Sequence, residues 1–390
     1  MSPTTSLIWQ APTWPGMHYD AVRVGGELAR AHRVQGIVEG KLAGLGFEQR
    51  LELAAEAWSQ DAVATAAIEG ERIDLTAVRS SVARRLGVGN QDGPNASRSV
   101  EGLLDIMDDA VRQREAPLTH ERLCAWQAAL FPTGYSGMSK ILVGAYREHA
   151  EPMQIVSGRV GREKIHYEAP SSAHVPAEMQ KFLDWFNAST DHDNLVKAAL
   201  AHVWFETIHP FEDGNGRIGR VLIDLVLARD SGDVSRLIRT SQRLLDKRHD
   251  YYDQLERAQH GELDVTEWVL WFVEQVRVSC EEASSVVDAA LGKVIFWTNH
   301  QDKVLTTRQR KVVNLLLDAG PNGFEGGMST RKYESVGSTS RATASRELIE
   351  LEDMGILCRV GAGRSTRYYP NIPGWGPADT GLPGTLTHDG

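Results

Sequence analysis

The chain has 390 residues, 42% of them hydrophobic and 24% charged, and a formal net charge of −10. At about 100–200 residues per domain this predicts two or three domains with ample buried core, and excludes a generally disordered or collagen-like chain. No apolar run approaches the ~18 residues of a membrane span, no signal peptide is visible at the start, and Cys124, Cys280 and Cys358 are too scattered for a disulfide framework or a zinc set, so a soluble cytoplasmic protein without a membrane partner is expected.

Glu48 to Glu69 reads as one helix, because Leu51, Ala55, Trp58, Ala62, Thr65 and Glu69 share a face, and Gly70 follows as its stop. The turn-rich stretch Gly87 to Ser97 marks a first boundary. Helical patterns resume at Val100 to Arg112, Thr119 to Leu130 and Pro176 to Asn187, with a β-hairpin expected within Gln154 to Ala169. Asn194 to Thr207 is helical, the segment beginning His209-Pro210-Phe211 interrupts, and Ile218 to Arg229 resumes helix. Gln242 to Ala258 and Val265 to Ala289 complete a mainly helical body. Beyond it, Thr307 to Ala319, Ser329 to Ser335 and a longer helix capped by Ser338 precede two short strands, which is the order of a winged helix-turn-helix. The expected division is 1–95, an N-terminal helical segment; 96–290, a helical core; 291–370, the winged helix; and 371–390, a disordered tail rich in Gly and Pro. Between His300 and Pro370 bases exceed acids by 3, a surplus too small to argue for nucleic acid by itself.

The chemistry concentrates in His209-Pro-Phe-Glu-Asp-Gly-Asn-Gly-Arg-Ile-Gly-Arg220. A loop holding Gly214, Asn215 and Gly216 runs into a helix, whose first free N–H groups and positive dipole end favour an anion such as phosphate. Arg217 and Arg220, three apart, reach one anion from one face. Asp213 sets a carboxylate beside it, as needed to hold Mg²⁺ between protein and phosphates. His209 stands before the loop as a general base.

This segment resembles the motif of the Fic family, HPFx(D/E)GNGRxxR, at every fixed position, and the resemblance extends over roughly 100–278. It implies a Fic-type helical core with a β-hairpin flap, and transfer of AMP from ATP to a Ser, Thr or Tyr hydroxyl of a protein. His209 would deprotonate the hydroxyl, Phe211 would anchor the loop, and Asp213 would bind Mg²⁺. Gly214, Asn215, Gly216 and Arg217 would cradle the phosphates, and Arg220 would hold the γ-phosphate. Tyr251, Tyr252 and Gln259 resemble positions near the nucleoside. Ile165, His166, Tyr167 and Glu168 would form the end of the flap, along which a target protein pairs as an added strand.

Thr65-Ala-Ala-Ile-Glu69-Gly70 also resembles the family's inhibitory motif, (S/T)xxxE(G/N), which implies that Glu69 pairs with Arg220 and blocks the γ-phosphate site. The alternative is a solvated charge at a frayed helix end. Glu212, the variable motif position, is expected to face solvent. His202, Glu206 and His209 share a helical face and could imitate a metal triad, although no familiar zinc pattern is completed, and His202 reads better as a hydrogen-bonded core residue. The reading is therefore a self-inhibited protein adenylyltransferase using ATP and Mg²⁺, with self-modification and a homodimer as open possibilities. Its rivals are removal of AMP by the same site and a nucleotide-sensing transcriptional regulator. Arg341, Arg346, Arg359, Arg364 and Arg367 offer the winged helix contacts to DNA, but Glu347, Glu350, Glu352 and Asp353 oppose them, so weak DNA binding at most is expected.

Overall fold

A computed structural model describes residues 7–89, 93–157, 164–188, 192–320, 324 and 326–376. The chain separates into two compact units, Met1–Ser284 and Ser285–Gly390. Among the described residues no helix is long and apolar enough to cross a membrane.

The first unit begins with α1 (Ala21–Leu42), which sequence reading passes over. Gly25, Gly26, Gly36 and Gly40 dilute its helical signal, each at a cost of about 1 kcal/mol relative to Ala. It forms because Asp20 caps its first turn, accepting from the N–H groups of Val22 and Arg23, and because Val24, Ala31, Val38 and Leu42 bury one stripe. α2 (Phe47–Ile68) follows the expected pattern, with Glu69 at its C-cap and Gly70 at φ +81° beyond it. α3 (Leu75–Leu86), also unforeseen, is capped by Asp74 and stopped by Gly87 at φ +69°. It packs on α4 (Arg98–Arg112), with Arg85 of α3 bonding Glu101 of α4 at 2.7 Å. The boundary expected at 95 therefore falls within the first unit.

α5 (His120–Leu130), capped by Thr119, leads to a small hairpin of β1 (Tyr135–Ser136) and β2 (Ser139–Lys140). The larger hairpin pairs β3 (Gln154–Ser157) with β4 (Lys164–Glu168) antiparallel, Gln154 opposite Glu168 and Ser157 opposite Lys164. Its tip, 158–163, lies outside the described residues. α6 (Val175–Asn187) then lies against α7 (Asn194–Ile208), which pairs with α8 (Asn215–Ser231). Every residue from Leu195 to Ile208 is buried, so α7 is the axis around which the unit is built. The single helix expected over Gln242 to Ala258 is two, α9 (Thr240–Asp246) and α10 (Arg248–Gln259), broken at Lys247. Asp61 of α2 fixes the start of α9 by accepting from the Gln242 N–H at 2.9 Å. One hydrophobic core runs from Ile8, Val24 and Trp58 through α7 and α8 to Phe272 and Cys280.

α11 (Thr266–Asn299) continues into the second unit, where α12 (Thr307–Asp318), α13 (Thr330–Gly337) and α14 (Arg341–Asp353) precede β5 (Leu357–Val360) and β6 (Arg367–Pro370). β5 and β6 pair antiparallel, and Met328 bridges to Tyr368 of β6. The cap of α14 is Ser340, accepting from Thr343 N–H, not Ser338, which takes the left-handed φ of +48° that ends α13. Glu347 is not a surface charge: it is buried, accepts from Tyr333 Oη at 2.7 Å and pairs with Arg308 at 3.1 Å. The chain past 370 stays ordered to Gly376, with Trp375 buried against Gly292; residues 377–390 lie outside the described set.

Candidate active site

α7 stops at Ile208 because Pro210 cannot continue a helix and disfavours helical backbone before it. His209, between them, adopts φ +49°, a strained left-handed conformation for a non-glycine residue. Arg147 stabilises that turn from across the fold. Its Nε donates to the His209 carbonyl at 2.8 Å, its Nη2 to the carbonyls of Ile208 and Pro170, and its backbone N–H to the Pro210 carbonyl. These bonds satisfy the C-terminal carbonyls of α7 and fix where the imidazole starts.

Phe211, fully buried against Tyr146 and Phe205, pins the loop to the core. Asn215 closes it: its Oδ1 accepts from Phe211 N–H at 2.9 Å and its Nδ2 donates to the Phe211 carbonyl at 2.8 Å. Its side chain is thus spent inside the loop, and only its backbone N–H is offered outward. Gly214 sits at φ +91°, and a Cβ there would lie 3.0 Å from the Phe131 ring, so only glycine fits. Glu212, expected in solvent, instead accepts from Leu142 N–H at 2.9 Å and ties down the strand-loop segment beside the motif. The first intrahelical bond of α8 runs from Ile218 N–H to Gly214 O, leaving the N–H groups of Asn215, Gly216 and Arg217 without helical acceptors.

Glu69 reaches this helix start. Its Oε1 lies 2.7 Å from Arg220 Nη2 and would be 2.2 Å from a Cβ placed on Gly216, so the carboxylate occupies the anion seat itself. Arg220 is held further by Thr65, donating from Nε to Oγ1 at 2.7 Å and from Nη2 to the carbonyl at 3.1 Å. A second carboxylate, Glu71, bonds Arg217 at 2.9 Å. Both arginines of the cradle are therefore engaged by the end of α2. Burial opposes the charge of Glu69, yet Arg220 and then Arg217 outweigh it and hold the group below the usual carboxylate range.

Beneath the cradle, burial lowers the His209 pKa to about 4, with Arg147 adding to the effect, so the imidazole is neutral near pH 7. Burial lowers His202 to about 3 and raises Glu206 to about 8. Tyr251 is buried with its Oη 2.8 Å from His202 Nε2, a core position that gives the ring no open face toward a ligand. Tyr252 is part exposed and donates to the Ile68 carbonyl at 3.4 Å, touching the end of α2. Gln259 is buried, and its Nε2 finds no partner among the described residues. Ile165 and His166 lie in β4, their side chains outside the description. Tyr167 is buried, donating to the Thr207 carbonyl at 2.8 Å; Glu168 accepts from Gln154 through its side chain and from Trp9 through its carbonyl.

Asp213 is 38% exposed, accepts from its neighbour Gly214 N–H and from Ser136 Oγ, and stands 3.7 Å from Arg217. One open carboxylate beside a helix start that favours anions fits Mg²⁺, which keeps several waters and needs only one or two protein carboxylates. Among the described residues no group of three or more His, Cys, Asp or Glu is placed to hold a metal ion, and His202 Nε2 lies 2.8 Å from Tyr251 Oη in the core. Sequence reading missed Arg147, Ser136 and Glu71, and took Glu206 only as part of a possible metal triad. Of the three missed, only Glu71, immediately after the inhibitory motif, carried a local signal.

Residues 117–227 match the sequence profile of the Fic/DOC family, and residues 7–88 match a domain of unknown function (DUF4172). The chain is 27% identical over 216 residues to "Protein adenylyltransferase Fic" of Nematostella vectensis, covering 53% of this chain and 45% of that protein. It is 26% identical over 142 residues to "Probable protein adenylyltransferase aq_aa38" of Aquifex aeolicus (strain VF5), covering 36% of each. The matches thus span less than half of these curated relatives. A solved Fic family protein from Desulfovibrio desulfuricans G20 shares the fold, with a TM-score of 0.52 at 22% identity over 88% of this chain and 95% of that one.

Proposed function

We propose that this chain, whose residues 117–227 are a Fic domain, transfers AMP from ATP to a Ser, Thr or Tyr hydroxyl of a protein and is held back by Glu69. The observation that carries the reading is the occupied cradle: a helix start with three N–H groups that have no helical acceptor and two buried arginines, filled by the chain's own carboxylate. A seat that accepts a carboxylate anion suits a phosphate chain. With Glu69 withdrawn, Arg220 is free for the γ-phosphate and the N–H groups of Asn215 to Arg217 for the neighbouring phosphate oxygens. His209, neutral at pH 7, takes the proton of the incoming hydroxyl; the oxygen attacks the α-phosphorus, and pyrophosphate leaves along the line of Arg217 and Arg220. Asp213 would hold Mg²⁺, which when bound supplies charge neutralisation to the triphosphate.

The target segment is proposed to lie along β4, where backbone pairing orients any hydroxyl-bearing strand with little regard to its sequence. The test is incorporation of label from ATP into protein. His209→Ala should lower transfer by about 10²–10⁴-fold while ATP binding persists; label incorporation at the unaltered rate in this variant would remove His209 from the mechanism.

A further inference from the structure

His202, Glu206 and His209 lie together, and the function above uses only the last. Glu206 stands one turn before His209, on the same face of α7, and its Oε2 is 3.7 Å from His209 Nδ1. Among the described residues neither His209 Nδ1 nor Glu206 Oε1 makes a well-aligned hydrogen bond, and both atoms are shut off from solvent; the Glu206 backbone carbonyl is the other acceptor beside the imidazole. The pocket around them is tight, since a Cβ on Gly219 would lie 2.5 Å from Glu206 Oε1. An unpartnered carboxyl oxygen in such a place weakens the fold, and an apolar side chain of equal length would serve packing better.

We propose that Glu206 is the positioning residue of His209: its Oε2 accepts the Nδ1–H of the imidazole and so reserves the Nε2 lone pair for the target hydroxyl. The proposal rests on the adenylyltransferase reading for what His209 does, though the contact itself does not. Closing 3.7 Å to hydrogen-bond length takes less than about one ångström, a tightening common between free and substrate-bound sites. The groups facing the pair are His202 on α7, Arg220 on α8, Tyr251 on α10, Glu69 at the end of α2, and Arg147, Asp213 and the Glu206 backbone around the imidazole. Burial dominates their effect, leaving the imidazole neutral and raising the carboxyl to about 8. A protonated carboxyl still presents an acceptor oxygen. As the hydroxyl O–H bond breaks and the Nε2–H bond forms, Nδ1–H becomes part of a cation and a stronger donor, so the contact gains strength where the barrier is crossed.

The tautomer of His209 reports the contact directly, by nitrogen NMR on ring-labelled full-length protein at pH 7. The unaltered chain and Glu206→Gln, which keeps an acceptor oxygen, should hold the proton on Nδ1. Glu206→Met, close in length but without an acceptor, should move it toward Nε2, lower kcat for label transfer by about 10–10²-fold with KM for ATP little changed, and leave the melting temperature equal or higher. Conservative rescue by Gln with loss in Met supports positioning. An unchanged Nδ1–H tautomer in Glu206→Met overturns it, as does a Met variant that has lost kcat only in proportion to lost folded protein. Failure of the adenylyltransferase reading looks different: the tautomer would follow Glu206 while no form of the protein transferred label.

Discussion

Glu69→Gly is the perturbation with the largest expected gain. Arg220 is held by three acceptors, the Glu69 carboxylate and two oxygens of Thr65, and the substitution removes the charged one. A hydrogen bond to a charged group contributes about 1.5–3 kcal/mol. The Glu69 side chain is 32% exposed, so water screens the pair and the lower end of that range, about 1.5 kcal/mol, is the appropriate value. At about 1.4 kcal/mol per tenfold this makes Arg220 roughly ten times more available to the nucleotide. The carboxylate also leaves the seat over Gly216, which removes a negative charge from the place a phosphate oxygen must take. Together these predict a rise in transfer of about 10–10²-fold, read as label from α-labelled ATP retained on protein. Arg220→Ala should not reproduce the gain, because it empties the site of the group that Glu69 competes for. If Glu69→Gly transfers at the unaltered rate while His209→Ala abolishes transfer, Glu69 is a helix cap and the inhibitory account is wrong.

Three further outcomes follow from the same geometry. Glu71 is 46% exposed, so its pair with Arg217 contributes no more than about 1 kcal/mol, and Glu71→Ala should raise transfer by at most about fivefold in the same assay. Asp213→Ala, or EDTA with the unaltered chain, should suppress transfer, and titration with Mg²⁺ should restore only the latter; full activity without divalent ions would contradict the assignment. Gly214→Ala forces a side chain into φ +91° against Phe131 and Leu130, and should cost about 1–3 kcal/mol of stability, measured as a lower urea midpoint at unchanged slope.

The motif loop was legible in the sequence because each of its residues answers a local demand: a proline to end α7, a glycine at positive φ, an asparagine to close the turn. Glu69 was legible for a similar reason, since the motif fixes both the helix end and the carboxylate. α1 was hidden by its glycines, although Val24, Ala31 and Val38, each seven residues apart, would have betrayed its buried stripe. The single helix expected from Gln242 divides at Lys247, its first part tied to Asp61 of α2, a constraint absent from the local pattern. Glu212 and Glu347 read as surface charges because charged residues usually are, yet each satisfies a group brought to it by folding. Arg147 and Ser136 are of the same kind: they lie 62 and 77 residues from the atoms they hold, and no spacing in the chain could reveal them.

The most direct test separates the two ends of ATP. Glu69→Gly protein, with Mg²⁺ and a lysate or itself as acceptor, is given ATP labelled at the α- or at the γ-phosphorus. The account predicts covalent protein label from α-labelled ATP alone, with the γ-label recovered in pyrophosphate and both signals dependent on His209. Label arriving on protein from the γ-phosphorus, or none from either nucleotide while both bind, would contradict AMP transfer by this site.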